Sequence, residues 1–129
     1  MIVLDDNNID KVMSHKGTQL ILFYSENIPT LDGIISIFEG FESQLKGKVD
    51  VYTCEIEKQK RTGEYFQMNT LPAVLFLRDG NVYGNIAGPS SKAKYESLVK
   101  DGLVQMIEDD KAKKEKNPNV LDVDEMYGC

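Results

Sequence analysis

The stretch LILFYSENIPTLDGIISIFEGFESQL, residues 20–45, decides the fold. It begins with five apolar or aromatic residues in a row, Leu20–Tyr24. An unbroken run of this length is typical of a strand that is buried on both faces of a sheet. Pro29 follows the end of the run, and proline is favoured in the first turn of a helix. The apolar residues beyond it recur at helical spacings of three, four and seven: Ile34, Ile35, Phe38, Phe41 and Leu45.

The loop between this strand and the helix reads Asn27-Ile28-Pro29-Thr30-Leu31. In α/β proteins, loops at the carboxyl ends of central strands usually carry the ligands and the chemistry. This loop contains no cysteine, no histidine and no carboxylate. It therefore offers neither a strong nucleophile nor a usual metal ligand, and we expect it to make contacts rather than to catalyse a reaction.

Length and composition describe one globular domain without a basic surface. A chain of 129 residues with 41% apolar and 28% charged residues is ordinary for such a domain. The formal charge of -6 argues against a nucleic-acid partner. No apolar run approaches the ~20 residues that cross a bilayer, and residues 1–6 lack the basic region of a signal peptide. These observations predict a cytoplasmic protein with no nucleic-acid partner and no membrane partner.

The cysteines and the histidine form no metal-binding pattern. Cys54 and Cys129 are far apart in the sequence, and His15 does not complete a zinc-site spacing with them. Cys54 lies in an apolar strand pattern, which predicts a buried thiol that packs as a small hydrophobe. Cys129 is the last residue of the C-terminal tail, and this position predicts an exposed and reactive thiol. We expect no metal and no cofactor.

The rest of the chain alternates strand and helix patterns. Asp79-Gly80 lies between the apolar runs Val74–Leu77 and Val82–Ile86, and this arrangement predicts an antiparallel hairpin. A last helix is expected after Ser91, with an interruption at Gly102. The whole order, β-α-β-α-β-α-β-β-α, predicts an α/β fold. Its central mixed sheet combines parallel strands with a C-terminal antiparallel hairpin, and helices flank both faces.

The composition changes after Ile107. Residues 108–129 contain seven acids and four lysines, and we expect a domain over residues 1–107 followed by a charged helix end and tail over 108–129. Asn117-Pro118-Asn119 is typical of a turn. The tail beyond it is unusually apolar for a chain end: Val120, Leu121, Val123, Met126 and Tyr127.

Several segments of this sequence resemble segments of the thioredoxin family. The segment Phe23–Asn27 is similar to the strand end that precedes the active site of that family. Leu71-Pro72-Ala73, followed by an apolar strand and Asp79-Gly80, is similar to its cis-proline strand and hairpin, and Gly88 corresponds to a glycine beside its substrate groove. The resemblance covers about residues 1–105. It implies a thioredoxin-like fold and a cis peptide bond before Pro72.

The chain departs from the family at the redox positions. Counting back from Leu71-Pro72 places the redox pair on Ile28 and Leu31, and a register shifted by one residue places it on Asn27 and Thr30. Neither register contains a thiol. Disulfide exchange requires a thiolate that attacks, so the resemblance implies a redox-inactive chain that is not an enzyme.

Two other positions also differ from the residues that the thioredoxin family has there. The buried acid that assists proton transfer in the family falls on Leu22, and the tryptophan of the motif falls on Asn27. The first residue of the redox pair is exposed in the family. The resemblance therefore implies an exposed Ile28 and a mostly buried Leu31.

The resemblance also implies a binding groove. In the family, the backbone of the residue before the cis-proline pairs with a bound peptide, and Leu71 retains that backbone. Ile28 and Pro29 either contact a partner or only pack the first turn of the helix. The expected groove surface consists of Ile28, Pro29, Leu71, Pro72, Ala87 and Gly88.

Three functions remain open at this point. The leading hypothesis is a non-catalytic binding or accessory module that holds a protein or peptide segment in this groove. The second is a monothiol redox or thiol-carrier protein that acts through Cys129. The third is a structural subunit whose groove is covered by its own tail or by a second copy, which would form a homo-oligomer.

Overall fold

The structure is a computed structural model, and it describes residues 1–67 and 69–116. The predicted turn at 117–119 and the predicted tail lie outside these residues. The strands are β1 (Ile2–Val3), β2 (Thr18–Tyr24), β3 (Asp50–Glu55), β4 (Ala73–Arg78) and β5 (Asn81–Ala87). The helices are α1 (Ile9–Ser14), α2 (Leu31–Gln44), α3 (Lys60–Phe66) and α4 (Lys92–Lys116), and a 3-10 turn at Ile56–Lys58 precedes α3.

The strands form one mixed sheet in the order β1-β3-β2-β4-β5. The central strand β2 is parallel to β3 and antiparallel to β4. Its four residues from Leu20 to Phe23 are fully buried. The hairpin of β4 and β5 turns at Asp79-Gly80, where both residues have positive φ (52° and 83°), as a two-residue type I′ turn requires. The predicted α/β fold, its buried central strand and its hairpin are confirmed.

Two apolar cores lie on opposite faces of the sheet. On one face α2 and α4 pack against side chains such as Leu20, Leu22 and Phe76. On the other face α1 and the 3-10 turn pack against Ile21, Phe23 and Cys54, with Phe66 of α3 at the margin. Because neighbouring residues of β2 point to opposite faces, an uninterrupted apolar run supplies both cores.

The start of α2 differs from the prediction. The helix begins at Leu31, so Pro29 precedes it and does not lie in its first turn. The Leu31 N–H donates to the Ile28 carbonyl oxygen at 3.2 Å, which closes a four-residue turn with Pro29 in its second position. Proline is favoured at that position because its fixed φ suits the turn.

The predicted interruption at Gly102 is wrong. α4 runs without a break from Lys92 to Lys116, across the expected domain boundary after Ile107. Gly102 is buried where the helix crosses the sheet, and a Cβ atom there would lie 2.4 Å from Cδ2 of Phe76. The glycine therefore lets helix and sheet approach closely and does not end the helix. The domain boundary stays a prediction.

A single carboxylate from the N-terminal segment holds the start of α3. Oδ1 of Asp6 accepts hydrogen bonds from the Thr62 N–H at 2.7 Å and the Thr62 hydroxyl at 2.9 Å, and Oδ2 accepts one from the Arg61 N–H at 3.2 Å. Burial by itself raises the pKa of Asp6, but these hydrogen bonds outweigh it and lower the pKa. The side chain of Gln59, which precedes the helix, makes no such bond. Asp6 thus supplies the N-terminal cap from elsewhere in the chain.

Candidate functional site

The loop after β2 is shaped by short-range hydrogen bonds. Ser25 is buried directly after the strand, and its hydroxyl oxygen accepts a hydrogen bond from the Asn27 N–H at 3.3 Å. The Ile28 N–H donates to the Ser25 carbonyl oxygen at 3.3 Å. These bonds turn the chain at the carboxyl end of β2 and bring Ile28 and Pro29 toward the segment before β4.

An open cleft joins the two segments. Ile28 and Pro29 line it on one side, and Leu71 and Pro72 line it on the other, around a volume of about 460 Å³. We call this surface the Ile28–Leu71 cleft. The remaining lining residues are mostly polar: Ser25, Asn27, Thr30, Glu57, Asn69 and Pro89.

Two of the six predicted groove residues lie beside the cleft and do not line it. The Gly88 N–H donates to the Pro72 carbonyl oxygen at 2.8 Å, and Ala87 pairs with Ala73 in the hairpin. Both residues therefore support the wall that carries Pro72. The next residue, Pro89, reaches the cleft instead.

Several lining residues were missed by sequence reasoning. Glu57 comes two residues after the end of β3, which is parallel to β2. The carboxyl ends of parallel strands meet at one edge of a sheet, so this position could have been predicted. Asn69 lies only two residues before Leu71, whereas Pro89 is placed by the pairing of β4 with β5.

Ile28 is less exposed than expected. Both Ile28 and Leu31 are half-buried, and Ile28 packs against the core on the α2 and α4 face. The side chain of Ile28 thus contributes to the core and to the cleft wall at once. The two roles that the sequence left open for Ile28, packing of the helix start and contact with a partner, are therefore compatible.

Leu71 lines the cleft next to Pro72. The peptide bond between Leu71 and Pro72 is cis. Within the part of the chain that the structure describes, neither the N–H nor the carbonyl oxygen of Leu71 makes a hydrogen bond. An extended segment laid beside Leu71 would find one donor and one acceptor there.

Comparison with known proteins agrees with this architecture. The sequence matches the family described as Thioredoxin over residues 1–101. The chain belongs to the thioredoxin family. A thioredoxin of Buchnera aphidicola subsp. Schizaphis graminum (strain Sg) is 25% identical over 104 residues, which cover 80% of this chain and 96% of that protein. The family assignment made from Leu71-Pro72 and the hairpin is confirmed.

The resemblance places residues without a titrating side chain at the redox positions of the family. Leu22, which the resemblance places at the position of the proton-handling acid, is fully buried and lies between Thr53 of β3 and Val74 of β4. The redox pair falls on Ile28 and Leu31 in one register and on Asn27 and Thr30 in the other. No group at these positions gives up or takes up a proton.

The one cysteine that the structure describes is not at the thioredoxin site. Cys54 is fully buried in the core on the α1 face. Burial raises the pKa of its thiol from 9.0 to about 12, with smaller contributions from the carboxylates of Asp6, Asp5 and Glu55. The thiol is therefore protonated and enclosed by apolar atoms. Cys129 lies outside the described residues.

Charge at the cleft is limited to one carboxylate among the lining residues, that of Glu57. Glu26, in the loop next to the cleft, forms an ion pair with Lys58 at 3.3 Å, and Lys58 also contacts Glu55 at 3.4 Å. Glu26 and Lys58 are more than half exposed, so this pairing contributes little to stability. The cleft is thus mainly an uncharged surface.

The described residues contain neither a metal-binding cluster nor a membrane-spanning helix. Among residues 1–67 and 69–116, no three side chains of the His, Cys, Asp or Glu type are grouped so that they could hold a metal ion. In the same parts of the chain, no helix combines the length and the apolar character needed to cross a membrane.

Proposed function

We propose that this chain is a non-catalytic member of the thioredoxin family that binds an extended protein segment in the Ile28–Leu71 cleft. The observation that carries the proposal is the combination of an apolar cleft wall with a Leu71 main-chain donor and acceptor that have no hydrogen-bond partner among the described residues. Such an edge is what strand addition uses, since main-chain bonds supply affinity and neighbouring side-chain pockets supply specificity.

The proposed absence of catalysis rests on the residues at the redox positions of the family. Disulfide exchange proceeds by attack of a thiolate and departure of another sulfur. The resemblance puts the two sulfur positions on Ile28 and Leu31, or on Asn27 and Thr30 in the shifted register, and it puts the buried acid on Leu22; none of these residues is a cysteine or an acid. The same substitutions make the cleft more apolar, which favours binding of a hydrophobic side chain of the segment.

The lining residues suggest what the segment contains. Ile28 and Pro29 offer an apolar contact on one wall, and Glu57 offers one carboxylate on another. A segment with an apolar residue followed by a basic or hydrogen-bonding residue matches this arrangement. Because the cleft is shallow and open, we expect affinities typical of short peptides rather than of large interfaces.

The first prediction concerns disulfide reduction. In the insulin precipitation assay with dithiothreitol, the full chain is expected to give the same rate as dithiothreitol alone, because none of the described residues that line the cleft is a cysteine. A Cys54→Ser, Cys129→Ser double variant serves as the control. Catalysis that survives in the double variant would overturn the proposal, and catalysis that disappears with Cys129 alone would favour the monothiol alternative.

The second prediction concerns the cleft wall. Peptides selected from a random-sequence phage library on the wild-type chain are titrated against Ile28→Asp and Pro29→Asp. Each variant is expected to weaken binding by at least about tenfold, since a carboxylate in an apolar contact loses hydration without gaining a partner. Pro29 is exposed, so its variant is expected to keep the wild-type melting temperature.

The matched control for the cleft variants is Val82→Asp. Val82 is an exposed apolar residue of β5 and does not line the cleft. It is expected to bind the selected peptides like the wild type. If Val82→Asp abolishes binding while Pro29→Asp leaves it unchanged, the peptide site lies on the outer strand and the proposal fails.

A further inference from the structure

A second concave surface lies between α2 and α4. Its apolar wall consists of Phe41 and Leu45 from α2 and of Val99 and Leu103 from α4, around a volume of about 370 Å³. The other lining residues are polar: Gln44, Glu96 and Lys100. None of these residues lines the Ile28–Leu71 cleft. We call this surface the α2–α4 groove.

An exposed apolar side chain lies on α4 one turn beyond this groove. Val99, Leu103 and Ile107 follow one another at intervals of four residues, so they share one side of the helix. Val99 is buried and Leu103 is half-buried, whereas Ile107 is 55% exposed and the nearby Val104 is 47% exposed. A single exposed isoleucine needs no explanation. Here, however, a projecting isoleucine and an apolar groove lie on the same side of one helix.

A second copy of the chain can place this isoleucine in the groove. If two α4 helices pack antiparallel so that Leu103 faces the partner's Val104, then Lys100 faces the partner's Ile107, because one helix counts up while the other counts down. Glu96, Lys100 and Leu103 all line the groove. The partner's Ile107 would therefore enter it, as side chains enter the spaces on a facing helix in ordinary helix packing.

Two-fold symmetry repeats this contact. The interface is isologous, so each copy contributes one isoleucine and one groove. We propose that two copies of this chain associate through antiparallel α4 helices, each placing its Ile107 in the α2–α4 groove of the other.

Charge favours the same antiparallel register. One turn before Lys100, Glu96 faces the partner's Lys111. Glu108, which adjoins Ile107, lies next to the partner's Lys100. All four of these charged side chains are exposed. Each contact between opposite charges occurs twice in the dimer, and such contacts select orientation and register more than they add affinity.

The other acids near Ile107 are directed away from this interface. The Tyr83 hydroxyl donates a hydrogen bond to Asp109 at 2.7 Å, and Arg78 forms an ion pair with Asp110 at 2.9 Å. Both partners belong to the β4–β5 hairpin. The two carboxylates are therefore held against the sheet and do not oppose the association.

The size of the contact predicts a reversible dimer. The part of α4 from Glu96 to Lys111 is ~22 Å long and about 10 Å wide. With the end of α2 it is smaller than the ~800 Å² that each partner buries in a standard interface. We therefore expect a dissociation constant on the order of 10 μM.

The test measures the molar mass of the full chain by sedimentation equilibrium, from about 1 to about 300 μM. A reducing agent prevents disulfides through Cys129. The wild type is expected to pass from monomer to dimer over this range. Ile107→Asp is expected to raise the dissociation constant at least about hundredfold, because the two-fold axis places a carboxylate in both grooves. Since Ile107 is exposed, this variant is expected to keep the wild-type melting temperature.

Val82→Asp is the matched control for the molar-mass measurement. Val82 is 57% exposed, close to the value for Ile107, and it lies on β5 outside the groove. It is expected to dimerise like the wild type. A wild-type chain that stays monomeric over the whole range would overturn the proposal. So would a dimer that Ile107→Asp leaves intact, or one that Val82→Asp disrupts to the same extent.

Charge reversal tests the register independently. Glu96→Lys and Lys111→Glu are each expected to weaken the dimer about tenfold, since each turns two attractive contacts into repulsive ones. The double variant exchanges the signs and is expected to restore the wild-type dissociation constant to within about threefold. Both residues are exposed, so folding is expected to be unchanged. A double variant that is no tighter than the single variants would contradict the antiparallel register.

Discussion

Replacement of Gly102 by alanine is expected to destabilise the protein, although alanine is the better helix former. In an exposed helix interior, the change from glycine to alanine adds about 1 kcal/mol to the free energy of unfolding. At Gly102 the new Cβ atom would lie 2.4 Å from Cδ2 and 2.6 Å from Cε2 of Phe76. Phe76 is fully buried, so its ring has little room to move, and overpacking of this kind costs about 1–3 kcal/mol. The steric cost therefore exceeds the gain in helix propensity.

Gly40→Ala is the matched control for this experiment. Gly40 lies within α2, and apart from the adjoining chain of its own helix no atom lies within 4 Å of the position of its Cβ. Urea unfolding is expected to show a higher midpoint for Gly40→Ala and a lower one for Gly102→Ala. Addition of Phe76→Leu to Gly102→Ala should recover part of the loss, because the branched side chain is shorter than the ring. A stability gain of equal size at both glycines would contradict the close packing of α4 on the sheet.

The Cys54 thiol is expected to be almost inert in the folded protein. Burial raises its pKa from 9.0 to about 12, so at pH 8 the fraction present as thiolate falls by about a thousandfold. The pKa of Cys54 rises because the apolar core disfavours the charged thiolate and accommodates the neutral thiol. The thiolate fraction still rises tenfold for each unit of pH below the folded pKa. Complete burial of the sulfur adds a steric barrier to any reagent.

The measurement uses Ellman's reagent on a Cys129→Ser variant, in which Cys54 is the remaining thiol. In buffer, the reaction is expected to be at least about a thousandfold slower than in guanidinium chloride at the same pH. The unfolded sample also confirms that the thiol is intact. Reaction at nearly the same rate in both solutions would mean that the core around β3 opens readily, and Cys54 would then have to be reconsidered as a redox group.

Local patterns in the sequence were sufficient for much of the fold. The apolar run Leu20–Tyr24 determined the central strand, since burial on both faces favours a continuous run of apolar residues. Asp79-Gly80 determined the hairpin, because a two-residue turn needs residues that adopt positive φ. The absence of thiols at residues 27–31 was likewise visible directly, and with it the loss of the family's redox pair.

Only the tertiary structure decided the features that depend on residues far apart in the chain. Gly102 looked like a helix break in sequence, because nothing nearby reveals the ring of Phe76 beneath it. The cap of α3 comes from Asp6, more than fifty residues away from Thr62. The half-burial of Ile28 and the place of Pro89 in the cleft depend in the same way on how helices and strands pack. Periodicity and turn chemistry report neighbours along the chain, whereas close approach and remote hydrogen bonds exist only once the sheet and helices have assembled.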